Sequence, residues 1–169
     1  MKKQEETPNG PPPGLTPILA VDNANAAVDF YKQAFEAIEI ARIPAPDGKR
    51  LIHARMQIFG TIFVLMDEFP ELSEKESMFR SPNSLGGSTV TLHLQVNDAF
   101  EVWKHAIDAG AIAIVPMEKQ FWGEYYGRLK DPFGHEWTIA QMLQHLTNVE
   151  VENAANEIFK QNDIDKLKE

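Results

Sequence analysis

The strongest constraint in this 169-residue sequence is that its body repeats. Thr16-Pro-Ile-Leu-Ala-Val-Asp-Asn23 aligns with Thr91-Leu-His-Leu-Gln-Val-Asn-Asp98. Tyr31-Lys-Gln-Ala-Phe-Glu-Ala-Ile-Glu-Ile-Ala-Arg-Ile-Pro44 aligns with Trp103-Lys-His-Ala-Ile-Asp-Ala-Gly-Ala-Ile-Ala-Ile-Val-Pro116, and Phe59-Gly60 aligns with Phe133-Gly134. A chain that carries one pattern twice folds as two copies of one supersecondary unit.

Within each copy the hydrophobic period changes from two to 3.6 and back to two, which reads as strand, helix, strand, strand, strand. The first module spans 15–67, with elements at 15–21, 24–37, 38–44, 50–58 and 61–67. The second spans 89–145, with elements at 89–96, 98–109, 111–116, 124–130 and 135–141. Ala27, Phe30, Tyr31, Ala34 and Phe35 form one helical stripe, and Val102, Trp103, Ala106 and Ile107 form the other. Each stripe covers one face of its sheet, which leaves the opposite face as a concave wall. The fold class is α+β: two tandem βαβββ modules forming half-barrel sheets around a cavity, followed by a C-terminal helix.

Residues 1–14 carry charge and then Pro8 and Pro11 to Pro13, and are expected to form a disordered Pro-rich tail. Residues 68–88 connect the modules, either as a lid over the cavity or as a plain linker; so long a connection is unusual in a compact domain. In 146–169, Thr147-Asn-Val-Glu150 reads as a capping box. Val151, Ala154, Ala155, Ile158 and Phe159 follow at helical spacing, giving an apolar face that packs on its own domain or on a second subunit.

Composition narrows the functional classes. A net charge of −9 opposes binding to phosphate backbones, so no nucleic-acid partner is expected. No apolar run is long enough to span a bilayer and no secretory signal follows Met1, so no membrane partner is expected and the cytoplasm is the simplest location. Without Cys the sequence has no disulfide, thiolate metal site or thiol nucleophile. Nucleotide-loop, zincin and serine-hydrolase motifs are also absent.

The duplicated module, with its Val-x-Asp-like turn entering a helix and its Asp131-Pro-Phe-Gly134 turn before the last strand, resembles the vicinal oxygen chelate superfamily. This group holds glyoxalase I, bleomycin- and fosfomycin-resistance proteins and extradiol dioxygenases. Three stretches resemble its PhnB-like branch. They are Thr16-Pro-Ile-Leu with Asp29 to Phe35, Asp67 to Pro70 with Leu85 to Ser88, and Phe121 to Trp137. The resemblance covers about residues 15–160 and implies the fold and a homodimer; it does not fix function, because this fold hosts many chemistries. It also implies four metal-ligand positions, which fall here on Thr16, Val64, Thr91 and Thr138. Three neutral hydroxyls and a valine are poor company for a divalent ion, so neither a metal nor another cofactor is expected at these positions.

Strand alternation nominates other residues. His93 points the same way as Thr91, and Glu136 the same way as Thr138. Together with His53 they would form a displaced two-His-one-carboxylate site if they converged; otherwise His93 and Glu136 bond to each other or to water in a polar pocket. Tyr126 and Arg128 should face the cavity, with Phe121 and Trp122 leading into it. An aromatic wall with one Arg suits a flat or anionic organic ligand. Alternatively Trp122 plugs the barrel and Arg128 pairs with Glu124 or Glu136. The expected function is binding of a small organic molecule, such as a drug or metabolite, by Thr91, His93, Trp122, Tyr126, Arg128, Glu136 and His53. The alternatives are an isomerase, lyase or dioxygenase using a displaced metal or a His93/Glu136 acid–base pair, and an interaction module using the acidic segment from Asp67 to Glu76.

Overall fold

The computed structural model describes residues 13–72 and 79–166, with side chains to residue 160. Two compact units result, Met1–Gly87 and Ser88–Glu169. The expected tail, apart from Pro13 and Gly14, lies outside the described residues, as does part of the acidic segment.

The first unit runs β1 (Ile18–Val21), α1 (Ala24–Phe35), β2 (Ile38–Pro44), β3 (Leu51–Ile58), β4 (Thr61–Asp67) and α2 (Pro82–Leu85). Its sheet has the order β1-β4-β3-β2, with β1 parallel to β4 and the other pairs antiparallel. The second unit runs β5 (Thr91–Gln95), α3 (Ala99–Asp108), β6 (Ile112–Lys119), β7 (Glu124–Lys130), β8 (Glu136–Met142) and α4 (Asn148–Lys166). Its order, β5-β8-β7-β6, repeats the first, with β5 parallel to β8.

The helices begin where their caps place them. The side chains of Asn23 and Asp98, both extended in backbone, accept hydrogen bonds from Ala26 N and Glu101 N. A second restraint comes from the end of each sheet. The buried Asp67 carboxylate accepts from Ala24 N at 2.9 Å and from Leu51 N at 2.6 Å, joining α1 and β3 to β4. At the matching place in β8, the Gln141 side chain accepts from Ala99 N at 3.1 Å. Asp67 is therefore an internal clamp and not part of an acidic surface.

The α1 stripe closes one face of the first sheet: Ala27, Tyr31, Ala34 and Phe35 are buried, and the Tyr31 ring meets Phe63 edge-on at 5.5 Å. In the second unit the match is looser. Ala99 and Ala106 are buried, while Val102, Trp103 and Ile107 are half-buried.

Several details differ from expectation. β1 begins at Ile18 because Pro17 has no N–H to donate, although its carbonyl accepts from Val64 N at 2.9 Å. β6 runs past Pro116 to Lys119: it is the outermost strand, where a missing donor is tolerated, and its register shifts between Val115 and Glu118. Residues 68–88 contain α2, capped by Ser81, with Pro82 in its first turn and Gly86 left-handed at its end. Glu68 fastens this return by accepting from Ser81 N at 2.8 Å and Ser84 Oγ at 2.5 Å. The capping box at α4 forms as expected, with Thr147 N donating to Glu150 Oε2 at 2.7 Å and Glu150 N to Thr147 Oγ1 at 3.3 Å. Its apolar stripe is half-buried from Val151 to Ala155, whereas Ile158 and Phe159 are exposed. Among the described residues no helix is long and apolar enough to cross a membrane.

Two stability tests follow from these contacts. Asp67→Ala strands two buried backbone donors and should cost about 3 kcal/mol in urea unfolding, since each such group costs roughly 1–3 kcal/mol. Glu39 accepts from Arg42 Nε and Lys32 Nζ, both at 2.6 Å, and these bonds lower its carboxyl from 4.5 to about 2. Its folded value lies below its unfolded value, so its stabilisation is complete above 4.5 and is lost as pH falls towards 2. Glu39→Gln should flatten the pH dependence of unfolding in that window.

Candidate functional site

The register of the second sheet assigns its open face. His93 pairs with Thr138, which pairs with Arg128; Thr91 pairs with Glu136; Ala140 lies between Gln95 and Tyr126; and Met142 pairs with Glu124. Neighbours in register point to the same side, so Thr91, His93, Gln95, Glu124, Tyr126, Arg128, Glu136 and Thr138 share one face. The other face belongs to α3: Phe100 meets Tyr125 at 4.8 Å, and a Cβ on Gly127 would lie 2.6 Å from the Trp103 ring. Alternation along β7 therefore places Tyr126 and Arg128 as the sequence led us to expect.

A chain of hydrogen bonds crosses the open face. In the amide orientation that satisfies all its neighbours, the Gln95 NH2 group donates to His93 Nε2 and Glu124 Oε1, both at 3.2 Å, and its oxygen accepts from Met142 N at 3.0 Å. His93 Nε2 is then an acceptor, so the neutral ring carries its proton on Nδ1 and donates to Thr138 Oγ1 at 2.8 Å. Glu124 Oε2 accepts from Trp122 Nε1 at 2.8 Å. Gln95 is a member that the sequence reading missed, although alternation from His93 points to it.

Trp122 is the middle of an aromatic group, edge-to-face with Phe121 at 4.9 Å and with Tyr126 at 5.5 Å. Arg128 pairs with Glu136 through its terminal nitrogen. This settles the choice of partner between Glu124 and Glu136. The Arg128 Nε is buried and has no hydrogen-bond partner among the described residues. His93 bonds to Thr138 and Gln95, and Glu136 bonds to Arg128, in place of a bond between the two.

In the first sheet, Ile18 pairs with Val64, which pairs with Arg55. These are the counterparts of His93, Thr138 and Arg128, so the corresponding face of the first unit is mainly apolar. His53 lies two residues from Arg55 on the same strand and is partly exposed. Burial, with the Arg55 charge adding to it, pushes its imidazole below the ordinary value.

The four positions implied for a metal do not fit one. Val64 has no donor atom and is buried, and the Thr138 hydroxyl already accepts from His93. Thr16 precedes β1, and Thr91 pairs in register with Glu136. Within each unit, no three His, Asp or Glu side chains among the described residues gather into a metal-binding group. His135 is a turn residue, donating its backbone N–H to Asp131 Oδ1 at 2.9 Å.

Known proteins agree with this architecture. Residues 15–139 match the family model of the Glyoxalase/Bleomycin resistance protein/Dioxygenase superfamily. An uncharacterized protein of Mycobacterium tuberculosis is 44% identical over 142 residues, which cover 84% of this chain and 82% of that protein. Among solved structures, a gene product of Arabidopsis thaliana is 29% identical with a TM-score of 0.57, covering 75% of this chain and 97% of that one. The PhnB protein of Bacillus cereus, 16% identical, shares the fold with a TM-score of 0.57 over 75% of this chain and 98% of that one.

The close approach of Trp103 to β7 also makes the site testable. Gly127→Ala places a methyl group 2.6 Å from the Trp103 ring and 3.1 Å from the Met117 backbone. Overpacking of this kind costs about 1–3 kcal/mol and should lower the urea midpoint by a corresponding amount. Trp103→Leu should recover part of that loss.

Proposed function

The chain belongs to the Glyoxalase/Bleomycin resistance protein/Dioxygenase superfamily, and on that premise we propose that it binds a flat, anionic organic molecule on the open face of its second sheet. The observation that carries this reading is that the Phe121–Trp122–Tyr126 group and Arg128 stand together on and beside β7. Aromatic faces and edges hold a planar ring system, and a guanidinium holds its carboxylate or phenolate. A buried N–H without a partner is costly, and a ligand oxygen at Arg128 would relieve that cost.

The remaining residues have supporting parts. Glu124 holds the Trp122 indole by its N–H and fixes the ring plane. Thr138 and Gln95 hold His93 in a single tautomer, so it offers the ligand a defined polar edge. Thr91 and Glu136 complete the polar side. Acid–base catalysis by His93 with Glu136 lacks comparable support, because each is bonded elsewhere.

Isothermal titration with 2-naphthoate and its neutral amide tests the proposal. The wild-type protein should prefer the carboxylate, and the preference should survive dialysis against EDTA. Arg128→Met should weaken carboxylate binding by about 10-fold or more while sparing the amide, and Trp122→Ala should weaken both. Equal binding of the two compounds by wild type and Arg128→Met would refute the role given to Arg128.

A further inference from the structure

The first unit has a cleft of about 480 Å³, lined by residues of that unit alone. Its wall is carbon: Ala45 and Pro46 after β2, Ile52 on β3, Met66 on β4, and Phe69 and Leu72 beyond β4. Ile52 and Leu72 are exposed hydrophobic side chains, and they meet at this cleft. The volume is within the range of small-molecule sites, roughly 300–1,000 Å³.

Three charged residues border the cleft, and each is already engaged. Asp47 Oδ1 accepts from Lys49 N at 2.8 Å and Arg50 N at 3.0 Å, and its Oδ2 accepts from Arg50 Nε at 2.7 Å. Both Glu71 oxygens accept from the Arg50 terminal nitrogens, at 3.0 and 2.5 Å. The guanidinium also lies 4.3 Å from the Phe69 ring centre. These bonds lie within one ionic cluster and tie the turn before β3 to the segment after β4. Because these charges already satisfy one another, they offer a charged ligand little, and the carbon wall favours an uncharged apolar one.

We propose that this cleft is a second binding site, specific for an uncharged apolar small molecule or the hydrocarbon part of one. The Arg50 cluster shapes its mouth and takes no part in recognition by charge. This goes beyond the anionic site on the second sheet and uses none of the same residues.

The test uses the full chain and the neutral probe N-phenyl-1-naphthylamine, whose emission rises in apolar surroundings. The wild-type protein should bind the probe saturably, with at least one equivalent in the cleft. Ile52→Glu and Leu72→Glu, each placing a charge in the cleft, should weaken binding at least tenfold with unchanged circular dichroism. Leu72 lies beyond the sheet, so its variant keeps the test valid if Ile52→Glu fails to fold. Trp122→Ala, which weakens aromatic binding on the second sheet, should still bind one equivalent of the probe, and this equivalent should be lost when Leu72→Glu is added, which separates this site from the naphthoate site. The proposal is overturned if wild type does not bind the probe, if both Glu variants bind it normally, or if sedimentation shows a dimer that Leu72→Glu dissociates, since the cleft would then be filled by a second copy.

Discussion

Each unit depends on a side chain at the end of its last strand that reaches the first amide of its helix. Asp67 holds Ala24 N, and Gln141 holds Ala99 N. The interaction fixes where the helix crosses the sheet and hence which face it covers. The first N–H groups of a helix have no partner within it, so a buried helix start needs an acceptor from elsewhere. Asp67 also holds the first amide of β3, so one buried carboxylate sets helix, third strand and fourth strand together. With one face closed in this way, the other is left for chemistry.

The two open faces use the same geometry with different side chains. Ile18, Val64 and Arg55 in the first unit correspond to His93, Thr138 and Arg128 in the second. Both keep an Arg on the third strand of the sheet. Around it the first unit is largely apolar, while the second builds a hydrogen-bonded chain from Thr138 through His93, Gln95 and Glu124 to Trp122. The repeated backbone is thus shared while the two faces carry different side chains.

Much of this was legible in the sequence because the repeat and the alternation of side chains report on backbone geometry. The ten module elements and the facing of Tyr126 and Arg128 follow from local patterns. The short helix α2 was marked by Ser81, Pro82 and Gly86 but lay hidden in a segment read as a loop. What was not legible depended on pairings between distant strands. That Arg128 takes Glu136 in place of Glu124, that Gln95 bridges His93 and Glu124, and that Asp67 turns inward are set by register and burial. The sequence does not display these directly.

Each sheet also ends on a strand that carries proline, Pro44 in β2 and Pro116 in β6. A strand with an interrupted row of donors is a poor template for a further strand. Open half-barrels made of short, apolar strands would otherwise invite stacking between molecules. The exposed isoleucines of these border strands, Ile40 and Ile114 among them, thus lie beside a ring that discourages a further strand from pairing there.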